Sequence, residues 1–323
     1  MLVWLLCGLG LVILLLAGDA LVKGAVNLSL RVGIPALIVS LTIVAFGTSA
    51  PELLIAISSV LENKPDIAMG NVVGSNTANI LLVLGFPAIL ATLHTSECNT
   101  RKTYIFMMMA SVLFVALAFT GSFGTWQALV LLGALALVLS DAFRDAHLHR
   151  KGAAMAAVED ADEVEGADPN MPWWQIVVFL LLGLIGLPLG ADLLVDNASF
   201  IARDYGVSET VIGLTLVALG TSLPELATTT VAALRRQADV VLGSVIGSNM
   251  FNLLAIIGIA ALIGPIPVAP EFLRFDLWVM LGASVLLAPF VFWRWNITRA
   301  WGIGLTVAYF AYIGIVLLQA LLD

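Results

Sequence analysis

Residues 47–54 read GTSAPELL, and residues 220–227 read GTSLPELA. Both stretches lie inside apolar runs, and each puts a glutamate in the middle, Glu52 in one and Glu225 in the other. A carboxylate deep in a hydrocarbon span costs at least a few kcal/mol, so it marks an ion or proton path by default. The surrounding composition shows that the runs belong in a membrane. Of the 323 residues, 61% are hydrophobic and 11% charged, and the mean hydropathy is +1.06. Soluble domains are about half apolar and a quarter charged, so little of this chain is left for a soluble domain.

Runs of about 20 apolar residues are candidate spanning helices. Ten are counted, at roughly 2–22, 35–60, 67–93, 104–120, 125–141, 173–195, 210–233, 240–264, 277–293 and 301–321. The first lacks a basic segment ahead of it and reads as a retained helix rather than a cleaved signal. The expected fold is an all-α polytopic membrane protein of ten transmembrane helices. Most connections are short. The exception, 142–172, contains EDADEVEGADPN and reads as an acidic, solvated linker. Trp173 and Trp174 follow it as an interfacial anchor.

Lys and Arg set the orientation. With the N-terminus outside, eleven of the fourteen fall on the cytoplasmic side and only Lys64, Arg203 and Arg274 on the outer side, a strong positive-inside bias. The expectation is a cell (inner) membrane protein with both termini outside and the central loop cytoplasmic.

The two quoted stretches belong to a longer repeat. Residues 47–85 align with 220–258 at a constant offset of 173, with 16 of 39 positions identical and no gap. The offset also pairs Asp19 with Asp192. The expected division is a first transmembrane repeat at 1–141, the linker at 142–172 and a second repeat at 173–323. Each repeat has five spans. Because five is odd, the second half enters the membrane from the opposite side. Inverted repeats of this kind suit alternating-access transporters whose site lies near the midplane.

Thr48, Ser49 and Glu52 sit at i, i+1 and i+4, so Thr48 and Glu52 share a helix face. Pro51 has no N–H for the carbonyl of Gly47 and crowds it, which bends the helix and is expected to free backbone oxygens around Ala45–Thr48. Pro224 does the same around Ala218–Thr221. The next helix of each half adds Ser75 and Asn79, and Ser248 and Asn252, again at i and i+4. Asn76 and Asn249 point about 100° away and read as helix-to-helix contacts. Carboxylates, hydroxyls, amides and carbonyls form an all-oxygen set, which suits hard cations such as Ca²⁺ or Na⁺. Sulfur and imidazole are missing from it. Cys7 and Cys98 are isolated, and His94, His147 and His149 fall in or near loops, so zinc or copper is not expected.

The paired motifs GTSAPE…GNVVGSNTAN and GTSLPE…GSVIGSNMFN resemble the two α-repeats of the sodium/calcium exchanger family, in its prokaryotic form, within the cation/Ca²⁺ antiporter superfamily. The resemblance covers both halves. It implies that Glu52 and Glu225 bind Ca²⁺ with backbone oxygens of Thr48 and Thr221. It also implies Na⁺ sites around them that use Ser49, Ser75, Ser222 and Ser248 with backbone oxygens of Ala45 and Ala218. Asn79 and Asn252 complete the expected ion-ligand set. The first helix of each half would slide as a gate, with Asp19 and Asp192 near the gate ends. K⁺-dependent members carry an acid where this chain has Asn252, so K⁺ dependence is not expected.

The implied activity is secondary antiport of Na⁺ against Ca²⁺, with Ca²⁺/H⁺ antiport through the same site as the alternative. An intramembrane hydrolase built on a carboxylate pair leaves the ligand hydroxyls unexplained, and a channel fits a buried, duplicated site less well than occlusion does. The chain has no G-x-x-x-x-G-K-[ST] motif for ATP, so an ion gradient is the expected driving force. No enzymatic activity, cofactor, nucleic acid or obligate protein partner is expected. The partners are Ca²⁺, Na⁺ (or H⁺) and the lipid bilayer.

Overall fold

In hydrocarbon every backbone N–H and C=O must be satisfied within its own segment, and helices do this. The structure, a computed structural model, describes residues 2–152, 168, 170–206 and 218–322. In chain order the helices are α1 (Leu2–Val32), α2 (Ala36–Thr48), α3 (Ala50–Leu61), α4 (Pro65–Leu90), α5 (Arg101–Ala118), α6 (Thr125–Gly152), α7 (Trp173–Asp204), α8 (Leu223–Leu234), α9 (Ala238–Ile263), α10 (Phe272–Phe292) and α11 (Arg299–Leu322). Eight are long and apolar enough to cross a membrane alone; α2 and α3, bent by 42° where they meet, make a ninth as one span. The chain is therefore an all-helical, multi-pass membrane protein. Residues 207–217, the head of the expected seventh span, lie outside the described residues. Among the described residues the crossings number eight or nine, against an expectation of ten.

Several helices outrun the apolar stretches that announced them. α1 and α7 continue past 22 and 195, and α6 continues past 141 to Gly152, into the stretch expected to be linker. Residues 153–167 and 169 of that stretch lie outside the described residues. Hydropathy reports the thickness of hydrocarbon, about 30 Å, whereas a helix of 31 residues at 1.5 Å per residue reaches about 46 Å. The excess carries polar residues beyond the membrane.

The centre of the bundle is α4 and α9, whose most apolar windows are each 83% buried, against 17% for α6 and 22% for α11. The peripheral helices turn Leu, Ile, Val, Phe and Trp outward, the surface that lipid requires.

Local geometry repeats at the same offset of 173. Ser49 (φ −85°, ψ 7°) and Ser222 (φ −88°, ψ 1°) share one conformation. Asn63 and Arg236 both take φ 58°. A π-helical turn spans Asn79–Val83 in α4 and Phe251–Ile256 in α9. Contacts between the halves are reciprocal as well. Leu93 bridges Ile297, and its mate Ile266 pairs with Phe123, one residue short of strict reciprocity, in a two-residue ladder. Where α1 crosses α7, a Cβ on Gly10 would meet the Leu194 nitrogen at 2.7 Å, and one on its repeat mate Gly183 would meet the Leu21 nitrogen at 2.9 Å. Reciprocal pairs of this kind are the signature of a two-fold relation.

Candidate ion-binding site

The GTSxPE motif folds as it does because proline lacks an N–H and is at home in the first turn of a helix. The helix ends at Thr48, pauses at Ser49 and restarts as α3 with Pro51 in its first turn; α8 restarts after Ser222 with Pro224 in its first turn. Glu52 and Glu225 therefore fall in the first turn of their helices, where the positive end of the helix dipole faces a carboxylate. Both are 1% exposed.

The two halves meet at these acids. The Ser49 hydroxyl donates to Oε1 of Glu225 at 3.4 Å, and Thr48 and Ser248 lie beside the same carboxyl. Glu52 is near enough to Glu225 to feel its charge. Thr48, Ser49, Ser75, Asn79, Ser222, Ser248 and Asn252 are all buried. The gathered oxygens are under-used by the protein. Oε2 of Glu52, Oε2 of Glu225, Oγ of Ser222, Oδ1 of Asn79 and Oδ1 of Asn252 have no hydrogen-bond partner. An unpaired buried polar group costs about 1–3 kcal/mol, so two carboxylates that each keep an unpartnered oxygen beside the Thr48, Ser49 and Ser248 hydroxyls suit a hard cation, which takes 6–8 oxygens. Among the described residues, no group of three His, Cys, Asp or Glu is placed to hold a metal. The donor set is two carboxylates completed by neutral oxygens.

Three expectations need adjusting. First, the Ala45 carbonyl keeps a helical donor, the Ser49 N–H at 3.1 Å, and also accepts from the Thr48 hydroxyl at 3.4 Å. Among the backbone oxygens expected to be freed around the kink, Ala45 O is not one. As an ion ligand it would exchange the Thr48 hydroxyl at its second lone pair for the ion. Second, Asn79 is shared between roles. Its Nδ2 donates to Oδ1 of Asn249 at 3.0 Å, tying α4 to α9 and leaving only Oδ1 for an ion. That bond also gives Asn249 its place as a helix-to-helix contact. Asn76 instead donates to Val72 O of its own helix at 2.8 Å. Third, Ala218 opens the short turn Ala218–Gly220, and the segment before it lies outside the described residues.

Close packing holds the cluster together. A Cβ on Gly247 of α9 would stand 2.6 Å from Cβ of Ala45, and one on Gly243 2.9 Å from Cβ of Ser40, so α2 and α9 approach at backbone distance.

Two cavities reach this region. One, about 500 Å³, has Asn71, Ser75, Thr221, Asp276 and Tyr312 in its lining; the Tyr312 hydroxyl donates to Asp276 Oδ1 at 2.9 Å. The other, about 400 Å³, runs along α7 past Asp192, Asp196 and Arg203 to Pro51, Thr221 and Pro224.

Asn71 escaped the sequence reading. It donates to the Glu52 carbonyl at 3.4 Å and lies four residues before Ser75. Asn71, Ser75 and Asn79, with their mates Ser244, Ser248 and Asn252, make a polar stripe of period four that could have revealed it.

Comparison with known proteins gives a consistent picture. The sodium/calcium exchanger protein family profile matches residues 2–141 and 175–318. The inner membrane protein YrbG of Escherichia coli is 34% identical over 298 residues, covering 91% of this chain and 90% of that one. The sodium/calcium exchanger MaX1 of Methanosarcina acetivorans is 32% identical over 339 residues, covering 94% and 95%. Among solved structures, the sodium-calcium exchanger NCX_Mj soaked with Na⁺ and Sr²⁺ superposes with a TM-score of 0.82 at 30% identity, covering 97% of this chain and 98% of that one.

Proposed function

The chain belongs to the sodium/calcium exchanger family, and from that premise we propose that it is a secondary antiporter exchanging Na⁺ for Ca²⁺ across a cell membrane. Membership makes it a cation antiporter of the membrane; the ions, the site and the sidedness are the proposal. One observation carries it. Two buried carboxylates, one from each half, meet beside the hydroxyls of Thr48, Ser49 and Ser248, and each keeps one oxygen that the protein leaves unpartnered.

In this reading Ca²⁺ sits between Glu52 and Glu225, whose two charges match its own, with oxygens of Thr48 and Thr221 completing its shell. Na⁺ ions take Ser49, Ser75, Ser222 and Ser248, the carbonyls of Ala45 and Ala218, and the amide oxygens of Asn79 and Asn252. Because the ions share carboxylates, Na⁺ entry displaces Ca²⁺, and the gradient of one drives the other. Reciprocal contacts at the 173 offset support two inverted five-span halves, ten spans in all, joined by a cytoplasmic linker. The name of the Escherichia coli relative and the basic-residue bias support an inner-membrane location with both termini outside. Both cavities lie toward the end that carries Arg203 and Asp276, which that bias assigns to the outside.

The test is Ca²⁺ uptake into vesicles containing the purified protein, with an imposed Na⁺ gradient or an imposed pH gradient. Uptake driven by outward-directed Na⁺ is expected. Uptake indifferent to Na⁺ and driven by pH would refute the proposal in favour of Ca²⁺/H⁺ antiport.

A further inference from the structure

We infer that Asn249 is a positioning residue for the ion site. Acting through Asn79, it fixes which end of that amide faces the ions, while Asn252, the repeat mate of Asn79, is held by no protein group. The two halves thus supply one fixed and one adaptable amide oxygen. The offset of 173 pairs Asn76 with Asn249 and Asn79 with Asn252. All four asparagines are 1% exposed. Asn79 and Asn252 each stand in a π-helical turn, at Asn79–Val83 and Phe251–Ile256. Neither burial nor backbone separates the halves, so the difference lies in the bonds.

In one half the bonds run in a fixed direction. The Nδ2 of Asn249 donates to the Asn76 carbonyl at 3.4 Å and faces the Met107 sulfur at 3.9 Å. A carbonyl and a thioether only accept, so reversing this amide would turn its oxygen onto both. Its Oδ1 is therefore left for Asn79, whose Nδ2 donates to it at 3.0 Å. Reversing Asn79 would in turn set oxygen against oxygen. Its Oδ1, without a partner in the protein, is the atom that the proposed Na⁺ set uses.

The other half does not repeat this. Asn76 turns its Nδ2 back onto the Val72 carbonyl of its own helix at 2.8 Å, and its Oδ1 has no partner. Asn252 has a partner at neither amide atom. Such an amide can turn Oδ1 to a cation or Nδ2 to a carboxylate without breaking a bond. A ligand already held in place binds at lower cost than one ordered on binding. Asn79 therefore owes part of its Na⁺ affinity to Asn249, and Asn252 owes none to Asn76.

The inference rests on the antiport reading and deepens it. The experiment measures Ca²⁺ uptake into Na⁺-loaded vesicles, with internal Na⁺ and external Ca²⁺ varied separately and rates referred to folded protein. Asn249→Ala should raise half-saturating Na⁺ about two- to tenfold, the range of one neutral hydrogen bond, and leave half-saturating Ca²⁺ unchanged. Asn76→Ala, the same change at the mate, should alter neither. In an Asn79→Ala background, Asn249→Ala should add nothing, because its effect passes through Asn79. If Asn249→Ala does not fold, Asn249→Leu, close in volume to asparagine, carries the same prediction. An unchanged Na⁺ requirement, or a loss of maximal rate alone, would make Asn249 a structural contact and overturn the inference. An equal rise in Asn76→Ala would overturn the asymmetry. The premise is tested separately: wild-type uptake indifferent to Na⁺ removes the antiport reading and the inference with it, whereas Na⁺-driven uptake that Asn249→Ala leaves unaltered removes the inference alone.

Discussion

Glu52→Gln removes one of two neighbouring buried carboxylates and keeps the shape and an oxygen of the side chain. In wild type with Ca²⁺ at a hundred times its Kd, binding linkage adds about 2.7 kcal/mol to folding stability. Removing one partner from a buried ionic contact costs about 3–5 kcal/mol, and each 1.4 kcal/mol is tenfold in Kd, so affinity should fall roughly 150- to 5,000-fold. At the same Ca²⁺ concentration the variant then gains no more than about 0.3 kcal/mol. The assay is thermal unfolding of the detergent-purified protein with and without Ca²⁺, alongside vesicle transport. Wild type should show a clear upward shift in Tm on adding Ca²⁺, and Glu52→Gln almost none, with transport abolished. Without ions the variant should melt at or above wild type, because two like charges no longer share a dry site. A wild-type Ca²⁺ shift in Glu52→Gln would refute the assignment of Ca²⁺ to the two glutamates.

Other perturbations separate binding from folding. Ser222→Ala deletes a hydroxyl that no protein group uses, so ion-free stability in a denaturation series should stay within about 0.5 kcal/mol of wild type while Na⁺ affinity in transport falls. Asn249→Ala breaks the amide bond from Asn79 and should lower stability by about 1 kcal/mol in a denaturation series. Gly247→Val forces a side chain against Ala45, and poor yield with a broadened elution profile in size-exclusion chromatography is expected because α2 and α9 cannot approach.

The parts of the molecule legible in sequence share a physical cause. A carboxylate in hydrocarbon is costly enough to stand out without coordinates, and its duplication at a fixed offset pointed to both halves of the site. Proline at the head of α3 and α8 announced the breaks because its missing N–H is a local property. Helix ends were legible only to the membrane boundary, since α1, α6 and α7 continue as helix into water where hydropathy no longer speaks. The Ala45 carbonyl was misjudged because Pro51 withholds a donor only from Gly47, two residues further on, while the α2 ladder runs on through the Ser49 N–H. Asn249 could be turned away from Asn252 by counting degrees along a helix, but its bond to Asn79 depends on how two helices cross.

By itself, then, the sequence determined the membrane class, the repeat and the chemistry of the candidate site's side chains, because each follows from residue type, local backbone preference or spacing along one chain. The tertiary structure decided what depends on residues far apart in sequence: that Glu225 meets Ser49 across the halves, that Asp19 meets Arg235, and that Asn79 bonds Asn249. Such contacts join side chains far apart along the chain, so no local preference announces them, and only the packing of the two halves records them.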